Sequence, residues 1–381
     1  MTQLTVYSGA RIVDGTTLFC DHVLVIEKDR IAAIMPAAAA PAGQHVALAG
    51  GILAPGLLDL QVNGGGGVML GAGDATTEIR TICNAHLRLG TAGLLPTLIT
   101  STRETVGAVL QAGIAAARAQ VPGFLGLHLE GPHLDPNRKG AHAPELIRPM
   151  EQVDLDMICA AARQMPALMV TLAPETVRPD QIAALTRAGV IVSLGHSNCS
   201  YDTAMAAFGA GARCVTHLYN AMSQLGHRAP GLVGAALDSG VAAGIIADLV
   251  HVSAPALGVA LRAKRAPERL FLVTDAMAVA GTDLSGFTLN DRWIERRDGR
   301  LTLADGTLAG ADVTLPQAIA NMHHRIGLDL VTALGMATRA PADCIGLSAS
   351  CGTLRPGAAA HFVHLDDGLK LRQSWHGGGP L

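Results

Sequence analysis

The sequence predicts an α/β fold in which a central (β/α)8 barrel is flanked by a small β-sandwich built from both chain termini. The first observation is a repeating pattern between residues 57 and 275, where eight apolar runs end at polar or glycine-rich stops and alternate with helical patterns. The second is that short β-like runs lie outside this pattern, at both ends of the chain. The length agrees, because one TIM-like barrel needs about 250 residues and the chain has 381.

The apolar runs and the helical patterns between them define the predicted elements of the barrel. The predicted strands are Leu57–Val62, Gly93–Thr100, Phe124–Glu130, Ala167–Ala173, Val190–His196, Cys214–His217, Ala243–Leu249 and Leu270–Asp275. The helical patterns include Thr77–Leu89, Arg103–Ala119, Asp154–Arg163, Pro179–Arg187 and Ser200–Phe208. A doubly wound open sheet produces the same local patterns, so it remains the alternative at this point.

The two ends of the chain contain the short runs from which we predict the β-sandwich. The N-terminal runs are Leu4–Ser8, His22–Ile26 and Arg30–Met35, and the C-terminal run is His361–Leu365. Because one sheet can be assembled from both ends, we expect three segments. These are residues 1–55 as the N-terminal part of the sandwich, residues 56–348 as the barrel, and residues 349–381 as the C-terminal part.

Composition excludes several classes of protein. Hydrophobic residues make up 49% of the chain, yet no segment approaches the roughly 18 uninterrupted apolar residues of a membrane helix. The start of the chain lacks a basic region and a long apolar stretch, so we expect a cytoplasmic protein. The seven cysteines are scattered without a Cys-x-x-Cys pair, and a net charge of −3 without a basic run argues against a nucleic-acid surface.

Four residues at the ends of predicted strands form a candidate metal-dependent hydrolytic site. Glu130, His196 and His217 together match the composition of a divalent metal site that keeps one position open for water. Asp275 ends the eighth strand, where it can accept a proton from that water. Taken singly, each residue has a structural explanation: a hydrogen-bonded histidine, a Glu130–Arg138 pair, or Asp275 as a helix N-cap.

Other catalytic motifs are incomplete or absent from the sequence. His128-x-Glu130 resembles the first half of a deaminase signature, but no Pro-Cys-x-x-Cys follows. The sequence contains no Gly-x-Ser-x-Gly elbow, no phosphate-binding Gly-x4-Gly-Lys-Ser/Thr loop and no His-Glu-x-x-His helix. The Gly64–Gly67 run does not match Gly-x-Gly-x-x-Gly, and we interpret it as a flexible turn over the site. Nucleotide binding is therefore disfavoured.

Seven stretches, in order along nearly the whole chain, resemble the N-acetylglucosamine-6-phosphate deacetylases, a family of the amidohydrolase superfamily. The most specific are Glu130-Gly131-Pro132 and Thr216-His217-Leu218-Tyr219-Asn220-Ala221-Met222. The others are Pro55–Gly64, Lys139–His142, Gly195–Ser197, Val273–Ala276 and Gly306–Gly310. The resemblance implies a barrel with a terminal β-sandwich and the hydrolysis of N-acetyl-D-glucosamine 6-phosphate to D-glucosamine 6-phosphate and acetate, in amino-sugar catabolism or recycling.

The resemblance also implies roles for individual residues. Glu130, His196 and His217 are the expected metal ligands, and Asp275 is the expected general base, then general acid, for a metal-activated water. The expected substrate contacts are His142, which also polarises the carbonyl, Asn220, Ala221, Arg228, His251, Leu308, Ala309 and Gly310. The family further implies a homodimer in which a neighbouring subunit completes the phosphate site.

One departure from the superfamily pattern affects the expected metal content. The usual His-x-His after the first strand is here Gln61-Val62-Asn63, and amides bind zinc much more weakly than imidazoles do. We therefore expect one divalent ion per subunit, with zinc favoured and iron or another divalent ion as alternatives. A weak second metal near Gln61 and Asn63 stays open at this point.

Two other functions also remain open. One is a different amidohydrolase reaction, such as opening of a cyclic amide or hydrolysis of another N-acetyl amino sugar. The other is a non-catalytic sugar-phosphate sensor that kept the fold. Arg228 and His251 favour a phosphorylated substrate over the first alternative, because guanidinium and imidazolium groups bind oxyanions. The complete set of expected ligands and Asp275 argues against the second.

Overall fold

The structure, a computed structural model, describes residues 4–381, which begin with seven short strands. They are β1 Leu4–Ser8, β2 Arg11–Val13, β3 Leu18–Phe19, β4 His22–Glu27, β5 Arg30–Pro36, β6 Gln44–Ala47 and β7 Ile52–Pro55. Lys28 has a positive φ of 56° between β4 and β5, which closes a two-residue hairpin with Glu27 paired to Arg30. The predicted N-terminal strands therefore form at the expected positions.

Eight parallel strands follow and form the barrel, with a small hairpin after the first of them. The strands of residues 57–272 are β8 Leu57–Val62, β9 Gly64–Gly65, β10 Val68–Met69, β11 Thr91–Ile99, β12 Leu127–Glu130, β13 Leu168–Leu172, β14 Ile191–Leu194, β15 Cys214–Val215, β16 Ala242–Ile245 and β17 Leu270–Leu272. The barrel order is β17-β16-β15-β14-β13-β12-β11-β8. All eight predicted strands are confirmed, although most are shorter than predicted.

The barrel closes between the segments that follow β8 and β17. Asp275 N–H donates to the Gln61 carbonyl at 3.1 Å, and Asn63 N–H donates to the Ala276 carbonyl at 2.8 Å. Val62 and Ala276 form an isolated parallel bridge between these segments. Because first and last strands are joined in this way, the open-sheet alternative is wrong.

The helices between the strands bury apolar faces against the barrel. They are α1 Ala75–Arg88, α2 Arg103–Arg118, α3 Gln152–Ala162, α4 Pro179–Arg187, α5 Tyr201–Gly209, α6 Gly231–Asp238, α7 Ala254–Ala263, α8 Leu315–Ala320, α9 Leu330–Gly335 and α10 Arg339–Cys344. Asp74, Thr102 and Ser200 cap α1, α2 and α5 through their side-chain oxygens. The five predicted helices are confirmed to within two residues at each end. None of the helices in residues 4–381 is both long and apolar enough to span a membrane.

The Gly64–Gly67 run is an ordered hairpin rather than a flexible turn. Gly64 and Gly65 form β9 and pair with β10. A Cβ added to Gly64 would lie 2.5 Å from the Val68 carbonyl oxygen and 2.7 Å from the Ala278 amide nitrogen. Only glycine fits between these two backbones, so the run is explained by close packing beside the site.

A four-stranded antiparallel sheet between β17 and α8 was not predicted. Its strands are β18 Gly286–Leu289, β19 Arg292–Arg297, β20 Arg300–Thr302 and β21 Leu308–Ala311. Strand β19 is mostly charged, and Ile294 is its one fully buried residue, so its apolar pattern is too weak to recognise. Phe287 and Leu289 pack with Met277 in a separate apolar cluster, which places this sheet against the end of the barrel.

The β-sandwich is assembled from both ends of the chain, as predicted. The last strands are β22 Phe362–Leu365, β23 Leu371–His376 and β24 Gly379–Pro380, and β22 pairs with β7 to form the six-stranded sheet β24-β23-β22-β7-β2-β3. The second sheet has the order β5-β4-β1-β6. Tyr7 of β1 contacts Phe362 and Trp375 across the sandwich, with ring centroids 5.1 and 5.3 Å apart. We retain residues 1–55, 56–348 and 349–381 as the proposed domain boundaries.

Replacement of Phe362 tests whether the two ends of the chain stabilise one another. Phe362 is fully buried between Tyr7 and Trp375, so Phe362→Ala should lower the free energy of unfolding by about 3–5 kcal/mol. Chemical denaturation measures the change. Val259→Ala is the control, because Val259 is 43% exposed on α7 and its loss should change stability by less than about 0.5 kcal/mol. Equal effects of the two substitutions would show that the packing of Phe362 against Tyr7 and Trp375 does not stabilise the sandwich.

Candidate active site

The barrel brings the four predicted strand-end residues together. Glu130 is the last residue of β12, and His196, His217 and Asp275 follow β14, β15 and β17 by two or three residues. Glu130 and both histidines are at most 4% exposed. Because parallel strands end at the same rim of a barrel, side chains separated by many positions in sequence converge there.

Glu130, His196 and His217 place three ligand atoms at the spacing that one metal ion requires. Glu130 Oε1 lies 3.2 Å from His196 Nε2 and 3.0 Å from His217 Nε2, and the two nitrogens are 3.0 Å apart. Ligands bound about 2.1 Å from one ion are about 3.0–3.4 Å apart. Hydrogen bonds from the two imidazoles outweigh the effect of burial and hold the pKa of the Glu130 carboxyl well below its usual range. A carboxylate and two imidazoles therefore fit a divalent cation.

The ring orientation of His196 prepares it for metal binding. His196 Nδ1–H donates to the carbonyl of Arg138 at 2.7 Å, which fixes the ring with Nε2 directed toward Glu130 Oε1. His217 Nδ1 is buried without a hydrogen-bond partner among residues 4–381. The pKa of His217 is raised, because its hydrogen bond to Glu130 outweighs the opposing effect of burial.

Three of the four residues have strained backbones. The φ angles of His196, His217 and Asp275 are 47°, 27° and 51°, in the left-handed region that non-glycine residues rarely adopt. Backbone strain of this kind clusters at functional sites, where the surrounding structure holds it in place. The strain is an independent indication that these strand ends are selected for chemistry rather than for stability.

His142 lies beside the three ligand atoms but is oriented as a hydrogen-bond donor. Thr100 N–H donates to His142 Nδ1 at 3.2 Å, so the ring hydrogen of the neutral imidazole lies on Nε2, 3.7 Å from Glu130 Oε2. Burial lowers the pKa of His142 to about 3, which keeps the ring neutral. Ligand atoms of Glu130, His142 and His196 also lie within 4.8 Å of one another. The Nε2–H of His142 makes this second triad the poorer metal site.

Asp275 is held by the two amides that replace the usual histidines. Asn63 Nδ2 and Gln61 Nε2 donate to Asp275 Oδ1 at 2.7 and 3.2 Å, and Gln61 Nε2 also donates to Glu130 Oε1 at 2.9 Å. Burial, followed by the charge of Glu130, raises the pKa of Asp275 to about 6. Asn63 Oδ1 is buried without a partner among residues 4–381. The amides thus act as donors to carboxylates, and Asp275 does not begin a helix.

The structural explanation for Glu130 also fails. The Arg138 guanidinium donates to Asn198 Oδ1 at 2.9 and 2.6 Å rather than to Glu130. Arg138 instead contributes its carbonyl to His196 and its side chain to the wall of the cavity. No sequence pattern around Arg138 indicates this role.

A cavity of about 520 Å³ opens onto these residues and contains most of the predicted substrate contacts. The predicted residues that line it are Glu130, His142, His196, His217, Asn220, Ala221, His251, Asp275, Leu308 and Gly310. Ala309 is fully buried between the last two. Arg228 is exposed on the loop before α6 and does not line the cavity within a single chain.

Further lining residues were not among the predicted contacts. They are Asn63, Ile99, Asn137, Arg138, Gly140, Ala141, Ile246, Met277, Leu289, Gly306 and Thr307. Leu289 and Thr307 belong to the unpredicted sheet region, so that sheet forms one wall of the site. The Arg292 guanidinium donates to the Ala141 carbonyl at 2.7 Å and ties this sheet to the loop that carries His142.

His251 is oriented by a neighbouring carboxylate. Its Nδ1–H donates to Asp248 Oδ2 at 2.6 Å, and Asp248 also accepts the backbone N–H of His251. These hydrogen bonds outweigh the effect of burial and lower the pKa of Asp248. Asp248 therefore fixes the orientation of the His251 ring at the wall of the cavity.

Comparison with known proteins identifies the family of this chain. The sequence model described as the amidohydrolase family matches residues 52–378. The chain belongs to the amidohydrolase family.

Individual relatives of this amidohydrolase include enzymes that act on two epimeric sugar phosphates. This chain is 39% identical over 335 residues to an N-acetylgalactosamine-6-phosphate deacetylase of Shewanella sp. strain ANA-3, and the match covers 88% of this chain and 84% of that protein. It is 34% identical to an N-acetylglucosamine-6-phosphate deacetylase of Haemophilus influenzae, covering 90% of each. The crystal structure of N-acetylglucosamine-6-phosphate deacetylase from Pasteurella multocida superposes with a TM-score of 0.94 at 33% identity, over 99% of each chain.

Substitution of single histidines distinguishes the two candidate metal triads. His217→Gln should lower zinc affinity by more than about 100-fold, because it removes a ligand rather than a supporting contact. His142→Gln should keep full zinc content, because His142 Nε2 carries a hydrogen. Zinc per chain is measured by elemental analysis after dialysis, with unchanged circular dichroism as the control for folding. Loss of zinc from His142→Gln alone would instead support the triad that contains His142.

Proposed function

We propose that this amidohydrolase removes acetate from N-acetyl-D-glucosamine 6-phosphate and releases D-glucosamine 6-phosphate. The proposal is carried by one arrangement: a buried Glu/His/His metal triad, a carboxylate with a raised pKa and a neutral imidazole N–H donor face the same cavity. These are the groups that hydrolysis of an unactivated amide requires. The names of the relatives support a phosphorylated N-acetyl amino sugar as the substrate.

Glu130, His196 and His217 are the proposed ligands of one divalent ion per subunit, with zinc favoured. The bound ion would supply Lewis-acid polarisation of the substrate carbonyl and lower the pKa of water from 15.7 to about 7. Iron or another divalent ion remains compatible with the same ligands. A second ion near Gln61 and Asn63 is disfavoured, because Gln61 already donates to both carboxylates and Asn63 to Asp275.

Asp275 is the proposed proton carrier of the reaction. The amides of Gln61 and Asn63 both donate to Oδ1, so Oδ2 is the oxygen that accepts the proton of the attacking water. A carboxyl with a pKa of about 6 is basic enough to take this proton and acidic enough to return it near neutral pH. Asp275 then donates the proton to the departing amine, because an amide nitrogen leaves poorly as an anion.

His142 is the proposed hydrogen-bond donor to the substrate carbonyl. The hydrogen of the ring lies on Nε2. Because the low pKa of His142 keeps the ring neutral, the Nε2–H polarises the carbonyl oxygen without transferring a proton. A donor that is already oriented needs no rearrangement as negative charge develops on the carbonyl oxygen. Such donors contribute about 3–4 kcal/mol to the stability of a tetrahedral transition state.

The phosphate and the sugar are assigned to the outer part of the cavity. We propose His251, Asn220, Ala221 and the Leu308–Gly310 segment as contacts within one chain. Arg228 is the proposed phosphate contact of a neighbouring subunit in a homodimer. Its exposure on a loop outside its own cavity is what such a contribution requires. We also propose a cytoplasmic location, because a charged sugar phosphate does not cross a lipid bilayer unaided.

N-acetyl-D-galactosamine 6-phosphate is the second candidate substrate. The specific observation in its favour is the 39% identity to an N-acetylgalactosamine-6-phosphate deacetylase, which exceeds the 34% identity to the Haemophilus influenzae enzyme. The two sugars differ only at C4, so both would present the same acetamide and phosphate to the groups described above. The sensor alternative is disfavoured, because a binding protein has no use for Asp275 beside a complete metal triad.

Acetate release from a matched series of sugars tests the proposal. The zinc-loaded protein should hydrolyse N-acetylglucosamine 6-phosphate with a kcat/KM at least about 100-fold above that for unphosphorylated N-acetylglucosamine, because charge-assisted hydrogen bonds to the phosphate contribute about 1.5–3 kcal/mol each. N-acetylgalactosamine 6-phosphate in the same assay decides between the epimers. Absence of acetate from both phosphorylated sugars would refute the deacetylase proposal.

Arg228→Ala tests whether Arg228 contributes to phosphate recognition. The substitution should raise KM for the phosphorylated sugar by about 10-fold or more and leave its kcat almost unchanged. The kcat/KM for the unphosphorylated sugar should also stay almost unchanged. Arg372→Ala is the matched control, because Arg372 is an exposed arginine of β23 in the sandwich. An unchanged KM in Arg228→Ala would remove Arg228 from the phosphate site.

Asp275→Asn tests the proton-transfer role separately from metal binding. We expect kcat to fall by at least about 1,000-fold, because the amide can neither accept the proton of water nor return it to the amine. Zinc content should stay close to that of the unmodified protein, since the three proposed ligands are intact. Steady-state kinetics and elemental analysis on the same sample provide the measurement. Substantial residual turnover at full zinc content would exclude Asp275 from this role.

A further inference from the structure

A second large cavity lies at the other end of the barrel, between its amino-terminal face and the β-sandwich. Its volume is about 700 Å³, against about 520 Å³ for the candidate active site. Leu58 and Leu125 line it near the starts of β8 and β12, whereas Asn63 and Glu130 line the active-site cavity at the ends of the same strands. The two cavities share no lining residue, so they can be occupied independently.

Two arginines and two histidines line this second cavity, and burial lowers the pKa of both histidines, so the arginines are the groups that carry positive charge. The four residues are Arg30, Arg355, His361 and His376, and no aspartate or glutamate is among its lining residues within residues 4–381. Arg355 is exposed and forms no salt bridge with any described residue. Arg30 has only weak partners, with Nε 3.8 Å from Asp29 Oδ2 and Nη1 3.4 Å from the Gly357 carbonyl. Both guanidinium groups therefore retain donors for an anion.

The two histidines provide polar atoms that the rest of the described chain leaves unsatisfied. Their rings are in contact, with centroids 3.9 Å apart and an interplanar angle of 31°. His361 Nδ1 accepts the Gly377 N–H at 3.0 Å, which leaves the ring hydrogen on Nε2. His376 Nδ1 is buried without a hydrogen-bond partner among residues 4–381. Because the His376 nitrogen is covered by protein atoms, His361 Nε2–H is the ring donor that the described residues leave without a partner and accessible.

Part of the remaining wall of the cavity is apolar, beside the polar side chains of Gln120, Ser350 and Thr353. Val121, Pro122, Phe124, Leu125 and Pro166 line it from the segments that precede β12 and β13. Apolar walls with a few converging polar groups at a domain junction are typical of small-molecule sites. Charge alone would suit any anion, but this wall also favours a ligand with an apolar or planar body.

We propose that this cavity is a second ligand site, which binds a small organic anion with a phosphate or carboxylate group and a compact apolar body. Arg30 and Arg355 hold the anionic group, because a guanidinium pairs with either oxyanion through two parallel hydrogen bonds. The two histidine rings and the apolar part of the wall hold the body. The proposal is independent of the reaction assigned to the opposite end of the barrel.

Binding of phenyl phosphate to the zinc-loaded full-length protein tests this site. Isothermal titration calorimetry should show saturable binding, with weaker binding of inorganic phosphate because it lacks the apolar body. Arg355→Ala should raise the dissociation constant for phenyl phosphate by about 10-fold or more. Arg372→Ala is the matched control and should leave it unchanged, because Arg372 is a similarly exposed arginine that does not line the cavity.

Diffraction from crystals soaked in phenyl phosphate gives a second measurement that does not depend on a variant. Density for the phosphate beside Arg30 and Arg355 would support the proposal. Density only in the active-site cavity, or none in either cavity, would overturn it. Calorimetric binding that Arg355→Ala leaves unchanged would overturn it as well, since the probe would then bind elsewhere.

Discussion

Closure of the barrel between the segments after β8 and β17 is the constraint on which the rest of the site depends. Backbone hydrogen bonds from Asn63, Gly64 and Asp275 join these segments. Asp59 accepts the Thr274 hydroxyl at 2.5 Å beside them. Burial, with a smaller contribution from the charge of Asp275, raises the pKa of Asp59 to about 7. The same contacts bring the amides of Gln61 and Asn63 to Asp275. An open sheet would leave Asp275 at the opposite edge from both amides.

The site concentrates negative charge in a buried region and balances it with fixed donors. Glu130 and Asp275 share the N–H groups of one amide, that of Gln61, while Asn63 donates only to Asp275. Glu130 in addition receives two imidazoles, so the two carboxyl groups have pKa values shifted in opposite directions. This division suits two different tasks, since a metal ligand must stay ionised and a proton carrier must titrate near neutral pH.

The unpredicted sheet of β18–β21 forms one wall of the active-site cavity at the rim of the barrel. It adds Leu289, Thr307 and Leu308 to the wall, and the hydrogen bond from Arg292 to Ala141 fixes it to the loop that carries His142. The barrel rim supplies the chemistry, and inserted segments of this kind supply the shape that discriminates between substrates. We therefore expect any discrimination between the glucosamine and galactosamine epimers to depend on these walls rather than on the proposed metal ligands.

The sequence by itself determined the barrel, the sandwich built from both ends, and the strand-end positions of Glu130, His196, His217 and Asp275. These features follow from local patterns, because the alternation of apolar strands and helices can be recognised from residues that are neighbours in the sequence. Tertiary structure alone decided the role of Arg138, the position of Arg228 outside its own cavity, and the sheet of β18–β21. It also decided that the Thr100 N–H occupies Nδ1 of His142 and leaves the ring hydrogen on Nε2. Each of these depends on contacts between residues far apart in the chain, and no local pattern of polarity records which nitrogen of a histidine carries the hydrogen.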